Sequence, residues 1–170
     1  MAAYGLLTMY NLTASIGTRK SGSAPSETWT YSELADGLDN IAEALNETVQ
    51  QYFFLSDDGF ARNHVTGMAP AFTLTGRRVV GDAAQDYIFS KKYALDTDRQ
   101  SSFKLEYNDA EGTKQTITCD CTICNIQEWS GATTDDSAIS FEIRFDGKPT
   151  ITPATLQVNL AAKAKTTEKA

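Results

Sequence analysis

Only one histidine, His64, occurs in the 170 residues, and it stands in no recognisable motif. A serine or cysteine nucleophile needs a base beside it, most often histidine. No G-x-S-x-G, no phosphate-binding G-x-x-x-x-G-K-[ST] and no G-x-G-x-x-G run is present. These absences weigh against an enzyme. No apolar run approaches the roughly 20 residues of a membrane-spanning helix. Met1-Ala2-Ala3-Tyr4 lacks the basic and long apolar regions of a signal peptide, so synthesis and use without secretion by that route are expected.

Cysteine is scarce and clustered: Cys119, Cys121 and Cys124 fall within six residues. A structural zinc site needs a second ligand pair beyond Cys121-Thr122-Ile123-Cys124, and the sequence offers none. A redox C-x-x-C opens a helix, whereas TKQTITCDCTICNI has the composition of a strand. Ile117, Cys119, Cys121 and Ile123 share one face of that strand, opposite Thr116, Thr118, Asp120 and Thr122, so the cysteines are expected in the core, reduced and without metal. Cys124 and Ile126 have the opposite parity, which predicts a bulge or face switch near Thr122. Carboxylates pair at Asp57-Asp58, Asp96 with Asp98, and Asp135-Asp136. None has the spacing of a calcium loop, and all read as turn residues. No cofactor is expected.

The net charge is −7, which argues against a groove that grips nucleic-acid phosphates. It is compatible with a channel wall that repels them, and equally with plain solubility.

With 41% hydrophobic residues the chain has enough apolar content for one domain with a core. Three segments alternate as half-buried strands do: Phe72 and Leu74; Phe103, Leu105 and Tyr107; and Ile139, Phe141, Ile143 and Phe145. Gly76 and Gly81 bracket a turn. Asp82 then caps a helix over about residues 82–92, with Gln85 placed as in a capping box. Ala84, Tyr87 and Ile88 share its apolar face, and Asp86, Lys91 and Lys92 suit its dipole. Asn108 to Gly112 reads as a hairpin turn, Ile16 to Glu27 as a polar loop, and Gly131 to Ser137 as a loop. Leu34, Leu38, Ile41 and Leu45 have helical spacing. Asp57-Asp58-Gly59 is a turn signal after the aromatic run Tyr52, Phe53, Phe54. The expected core is Phe72, Leu74, Tyr87, Ile88, Phe103, Leu105, Ile117, Cys119, Cys121, Ile139, Phe141, Ile143 and Phe145.

The order of TGRRVVGDAAQDYIF, SSFKLEY, TKQTITCDCTI, Gly131-Ala132 and ISFEIRFDGKPT, between Trp29 and Thr150, resembles the major tail tube proteins of long-tailed, siphovirus-type bacteriophages. The resemblance rests on order and spacing rather than on a strict motif. It implies a mainly β fold: a β-sandwich of two antiparallel sheets with one flanking helix, a long stacking loop and extended arms. The single domain would divide into an N-terminal arm and loop (1–28), a sandwich core (29–150) and a C-terminal arm (151–170), with Val158 and Leu160 as anchors on a neighbour. It also implies that WTYSELADG and IAEALNETVQQ are a strand pair turning at Gly37, Asp39 and Asn40, rather than the helix that their leucine spacing suggests.

The function implied is structural: six copies close into a ring, rings stack into a tube, and DNA passes through without specific binding. Partners implied are further copies of the chain, tail-tip and tail-terminator proteins and a tape measure protein in the lumen. The location implied is the virion tail, after synthesis in the host bacterial cytoplasm, with no membrane insertion. The inter-ring loop would carry Phe53, Phe54, Asp57, Asp58, Phe60, Arg62 and His64. From the residues themselves, a subunit contact at the helix and turn would carry Arg77, Arg78, Asp82, Gln85 and Asp86, with a solvated strand end as the equal alternative for Arg77 and Arg78. Two alternatives stay open: the inner tube of a contractile particle or secretion device, and a monomeric β-sandwich binding module.

Overall fold

The computed structural model describes residues 8–22, 27–108 and 112–153. The strands are β1 (Thr13–Ser21), β2 (Thr28–Glu33), β3 (Leu38–Ala44), β4 (Thr48–Phe53), β5 (Ala61–Gly67), β6 (Ala71–Arg77), β7 (Gln100–Asn108), β8 (Lys114–Gln127), β9 (Ala138–Phe145) and β10 (Thr150–Pro153). One α-helix, α1 (Ala83–Ser90), lies between β6 and β7. The tip of the turn after Asn108, and Val158 and Leu160 of the expected arm, lie outside the described residues.

All pairings among the described residues are antiparallel. Eight strands form one large sheet in the order β2-β1-β7-β8-β9-β6-β3, with β10 pairing to the first half of β8, and β4 with β5 forms a second, small sheet. The fold is therefore mainly β with one flanking helix. The large sheet curls until its two ends approach: Ala14 of β1 and Leu34 after β2 line one hollow together with Leu38 and Ile41 of β3. The turn between the ends is held by the Leu34 amide, which donates to the Ala14 carbonyl at 2.8 Å.

Alternation sets the core. Phe72, Leu74, Ile88, Phe103, Leu105, Cys119, Cys121, Ile139, Phe141 and Ile143 are buried, and Tyr87, Ile117 and Phe145 pack against them half-buried. The rings of Phe72, Phe103 and Phe145 meet with centroids 5.2–6.0 Å apart, and Phe89 meets Phe141 edge-on at 6.3 Å. Such pairs add about 0.5–1.5 kcal/mol beyond their buried area.

Four sequence expectations are corrected. Ile16 to Ser21 is not loop but the second half of β1, where Ile16 is fully buried and the Trp29 ring covers Gly17. A Cβ on Gly17 would stand 2.8 Å from the Trp29 ring, so glycine is required by the stack rather than by a turn. The segments WTYSELADG and IAEALNETVQQ are extended but do not pair with each other: β2 pairs β1 and β3 pairs β6. IAEALNETVQQ contributes to both β3 and β4, broken at Asn46 with φ +48. The turn before β3 closes at Ala35 to Leu38, so Asp39 and Asn40 belong to the strand, and Gly76 likewise lies within β6. Finally, the irregularity in β8 falls between Cys124 and Gln127, where Asn125 has φ +49, rather than near Thr122. That bulge brings Ile126 onto the core face and leaves Cys124 half-buried.

Candidate functional site

Two surfaces combine exposed apolar side chains with organised polar groups: the β4–β5 hairpin, and the corner where α1 meets the ends of β6 and β8. The hairpin leaves the large sheet between Ala44 and Ala71. Its base is clamped by the Ala69 amide donating to Leu45 O and by Asn46 Nδ2 donating to Ala69 O, each at 3.0 Å. Its tip is built from a short 3-10 turn, Leu55–Asp57, followed by Asp58 and Gly59, both at positive φ. Aspartate and glycine tolerate that region at low cost. The Phe60 amide then donates to Asp57 O at 2.8 Å and closes the turn.

Every residue of β4 and β5 is exposed. Direct pairing puts Gln50 with His64 and Tyr52 with Arg62 on one face, and Val49 with Val65 and Phe53 with Ala61 on the other. The first face organises itself. Tyr52 stacks on Phe54 at 6.2 Å and meets His64 edge-on at 5.6 Å, and Arg62 covers Phe54 at 5.5 Å while its Nη2 bonds Asp57 at 2.5 Å. The second face leaves Phe53 66% exposed, and the tip leaves Phe60 77% and Leu55 fully exposed. Isolated surface rings are ordinary, but a contiguous apolar projection marks a partner surface.

At the helix corner the expected cap is present: the Gln85 amide donates to Asp82 Oδ1 at 2.8 Å. The Gln85 side chain does not complete a capping box. It is buried, accepts from the Val79 amide at 2.9 Å, and donates to Asp36 O at 2.7 Å and Arg77 O at 3.2 Å. It ties the helix to the ends of β3 and β6. Arg78 is likewise directed inward. Its guanidinium bonds Asp86 at 2.6 Å, Glu128 at 3.2 Å and Val79 O at 2.7 Å, and lies 4.8 Å over the Phe89 ring. Asp86 also accepts from the Gly81 amide. Of the five residues expected at a helix contact, Arg77 remains exposed with no ion pair among the described residues.

Glu128 was not singled out in the sequence, yet it joins this corner together. It bonds Lys92 as well as Arg78, and these two cations, Lys92 first, hold its carboxyl below the usual range. Lys92 Nζ in turn stands 3.4 Å from the centre of the exposed Trp129 ring. The cysteines are free; burial pushes the thiols of Cys119 and Cys121 up, so neither is a ready nucleophile. Among the described residues no group of His, Cys, Asp and Glu is gathered to hold a metal, and no helix is long and apolar enough to cross a membrane.

No protein-family signature matches the chain, and no curated protein matches it in sequence. Solved structures do match. The chain is similar to a chain of the tail of an empty gene transfer agent particle with C6 symmetry, at TM-score 0.60 and 12% identity over 86% of this chain and 99% of that one. It is similar to the SPP1 tail tube at TM-score 0.59 and 14% identity, over 87% and 80%. It is also similar to a chain of the extended sheath-tube complex of PVC, an extracellular contractile injection system, at TM-score 0.54 and 9% identity, over 89% and 95%. The fold is that of tail tube proteins.

Proposed function

We propose that this chain is a structural tail tube subunit that closes into hexameric rings and stacks head to tail into a conduit for DNA. The observation that carries the reading is a fold shared with tail structures over nearly the whole chain, together with a hairpin whose every strand residue is exposed. A lone subunit has no evident use for such a projection. The C6 symmetry of the gene transfer agent tail supports six copies per ring.

The mechanism is physical. Among the described residues the outer strands β2 and β3 pair along one side only, and free edges invite pairing with another chain. A closed ring satisfies them by joining neighbouring sheets into one inner barrel. Stacking joins two different surfaces, so it propagates until a partner stops it. That partner would be a terminator protein at one end and a tail-tip protein at the other, with a tape measure protein in the lumen. A net charge of −7 suits a channel to which phosphate does not adhere. The subunit would be made in the host cytoplasm and act in the virion.

A second reading, the inner tube of a contractile device, is favoured by the likeness to the PVC sheath-tube complex. It shares the same subunit mechanism and differs in the presence of a sheath. The test of stacking is replacement of residues 47–68 by a short Gly-Ser linker, which the clamp between Leu45, Asn46 and Ala69 allows. Sedimentation should show a folded subunit that no longer forms long assemblies. Tubes of normal length from this variant would remove the hairpin from the account.

A further inference from the structure

The strands β3, β6 and β9 run between two ends of the subunit. At one end Ala44 pairs with Ala71, the Phe145 amide donates to Pro70 O, and the hairpin departs. At the other end Arg77 pairs with Ala138 and Gln127 pairs with Ser140, with Glu128 and Trp129 following directly. Seven residues of β6 at about 3.3 Å each put roughly 20 Å between the ends.

This far end carries a second apolar patch. Trp129 is 66% and Tyr93 84% exposed, and Lys92 Nζ lies 3.4 Å from one ring centre and 5.2 Å from the other. Lys92 is itself held by its ion pair to Glu128, which Arg78 shares. Val80 is exposed in the turn that precedes α1. Next to Trp129 is a hollow of about 310 Å³ lined by Gly131, Ala132 and Asp135. The hairpin tip offers the complement: exposed Phe60 and Leu55, and Asp58, which makes no ion pair among the described residues. Arg77, at the same far end, is an exposed cation with no ion pair among the described residues.

The geometry points to a contact in which the hairpin tip of one copy seats on the Tyr93–Trp129 patch of the next copy, with an apolar tip residue in the hollow beside Trp129 and Asp58 facing Arg77. This inference rests on the tube reading and names the surface that receives the hairpin. Two different apolar patches at opposite ends, with opposite charges beside them, are what a propagating heterologous contact requires.

The test places the photoreactive residue p-benzoylphenylalanine at position 60 of the full chain. Crosslinked peptides from assembled protein should join position 60 to residues 79–93 or 128–137 of another copy. A charge exchange adds an independent reading: Asp58→Arg and Arg77→Asp singly should each lower the assembled fraction on the order of tenfold, and the double variant should restore it. Crosslinks to any other surface of a second copy, or failure of the double variant to recover, would overturn the proposed seat while leaving the tube reading intact. Absence of every assembly and every intermolecular product in the otherwise unaltered protein would overturn both.

Discussion

Replacing Gln85 with Leu separates what holds the subunit together from what joins subunits. The side chain is 1% exposed and makes three hydrogen bonds, to the Val79 amide and to the carbonyls of Asp36 and Arg77. A net bond of this kind contributes about 1 kcal/mol. Leucine of similar volume removes all three without leaving a cavity, so the expected loss is about 3 kcal/mol. For a domain of this size each kcal/mol moves the midpoint about 2–4 °C, which predicts a drop of roughly 6–12 °C in thermal melting followed by circular dichroism. The damage should be local first. Amides at the start of β3 and the end of β6 should lose hydrogen-exchange protection ahead of β7 and β8. Arg77→Ala, at an exposed position, serves as the control and should stay within about 0.5 kcal/mol of the parent. A Gln85→Leu midpoint within a degree of the parent would refute the claim that this residue ties the helix to the sheet.

Phe141→Ala removes a fully buried ring packed on Phe89 and should cost about 3–5 kcal/mol by urea titration. Cys124 should react with a thiol reagent in the native protein at pH 8, while Cys121, fully buried with its thiol pushed up, should react only on unfolding; equal labelling rates would contradict the burial. The folded Glu128 carboxyl is held below its ordinary value by Lys92 and Arg78. Its contribution is therefore complete above the unfolded value of about 4.3 and is lost as pH falls through the folded value. Lys92→Met should flatten the fall in stability between pH 5 and pH 3, because it removes the first cause of that depression.

The strands and the helix were legible where one local rule acts alone. Ile139 to Phe145 alternates without interruption, and Asp82 caps a helix through an atom three residues away. Bulges defeated the reading elsewhere. Leu38 and Ile41 are three apart, which looks helical, yet both pack on the core from one strand because the register of β3 shifts between Leu38 and Asn40. Asn125 does the same for Ile123 and Ile126. Such shifts depend on the partner strand and leave little trace in composition.

The two candidate surfaces divide in the same way. The turn at Asp57-Asp58-Gly59 is a short-range signal and marked the hairpin tip. The spacing of Gln85 from Asp82 suggests a capping box and Arg78 stands at a strand end, whereas their partners Asp36 and Glu128 are about fifty residues away. No periodicity reports a bond of that range. Glu128 and Trp129 follow β8 without any motif, and only the meeting of α1 with the end of that strand gives them a role.

Electron microscopy of the purified full chain at high concentration tests the central claim most directly. Rings or tubes with a central channel and sixfold symmetry are the predicted result. A protein that remains a dispersed monomer at every concentration, and does so when offered preformed tail tips as nuclei, would contradict it.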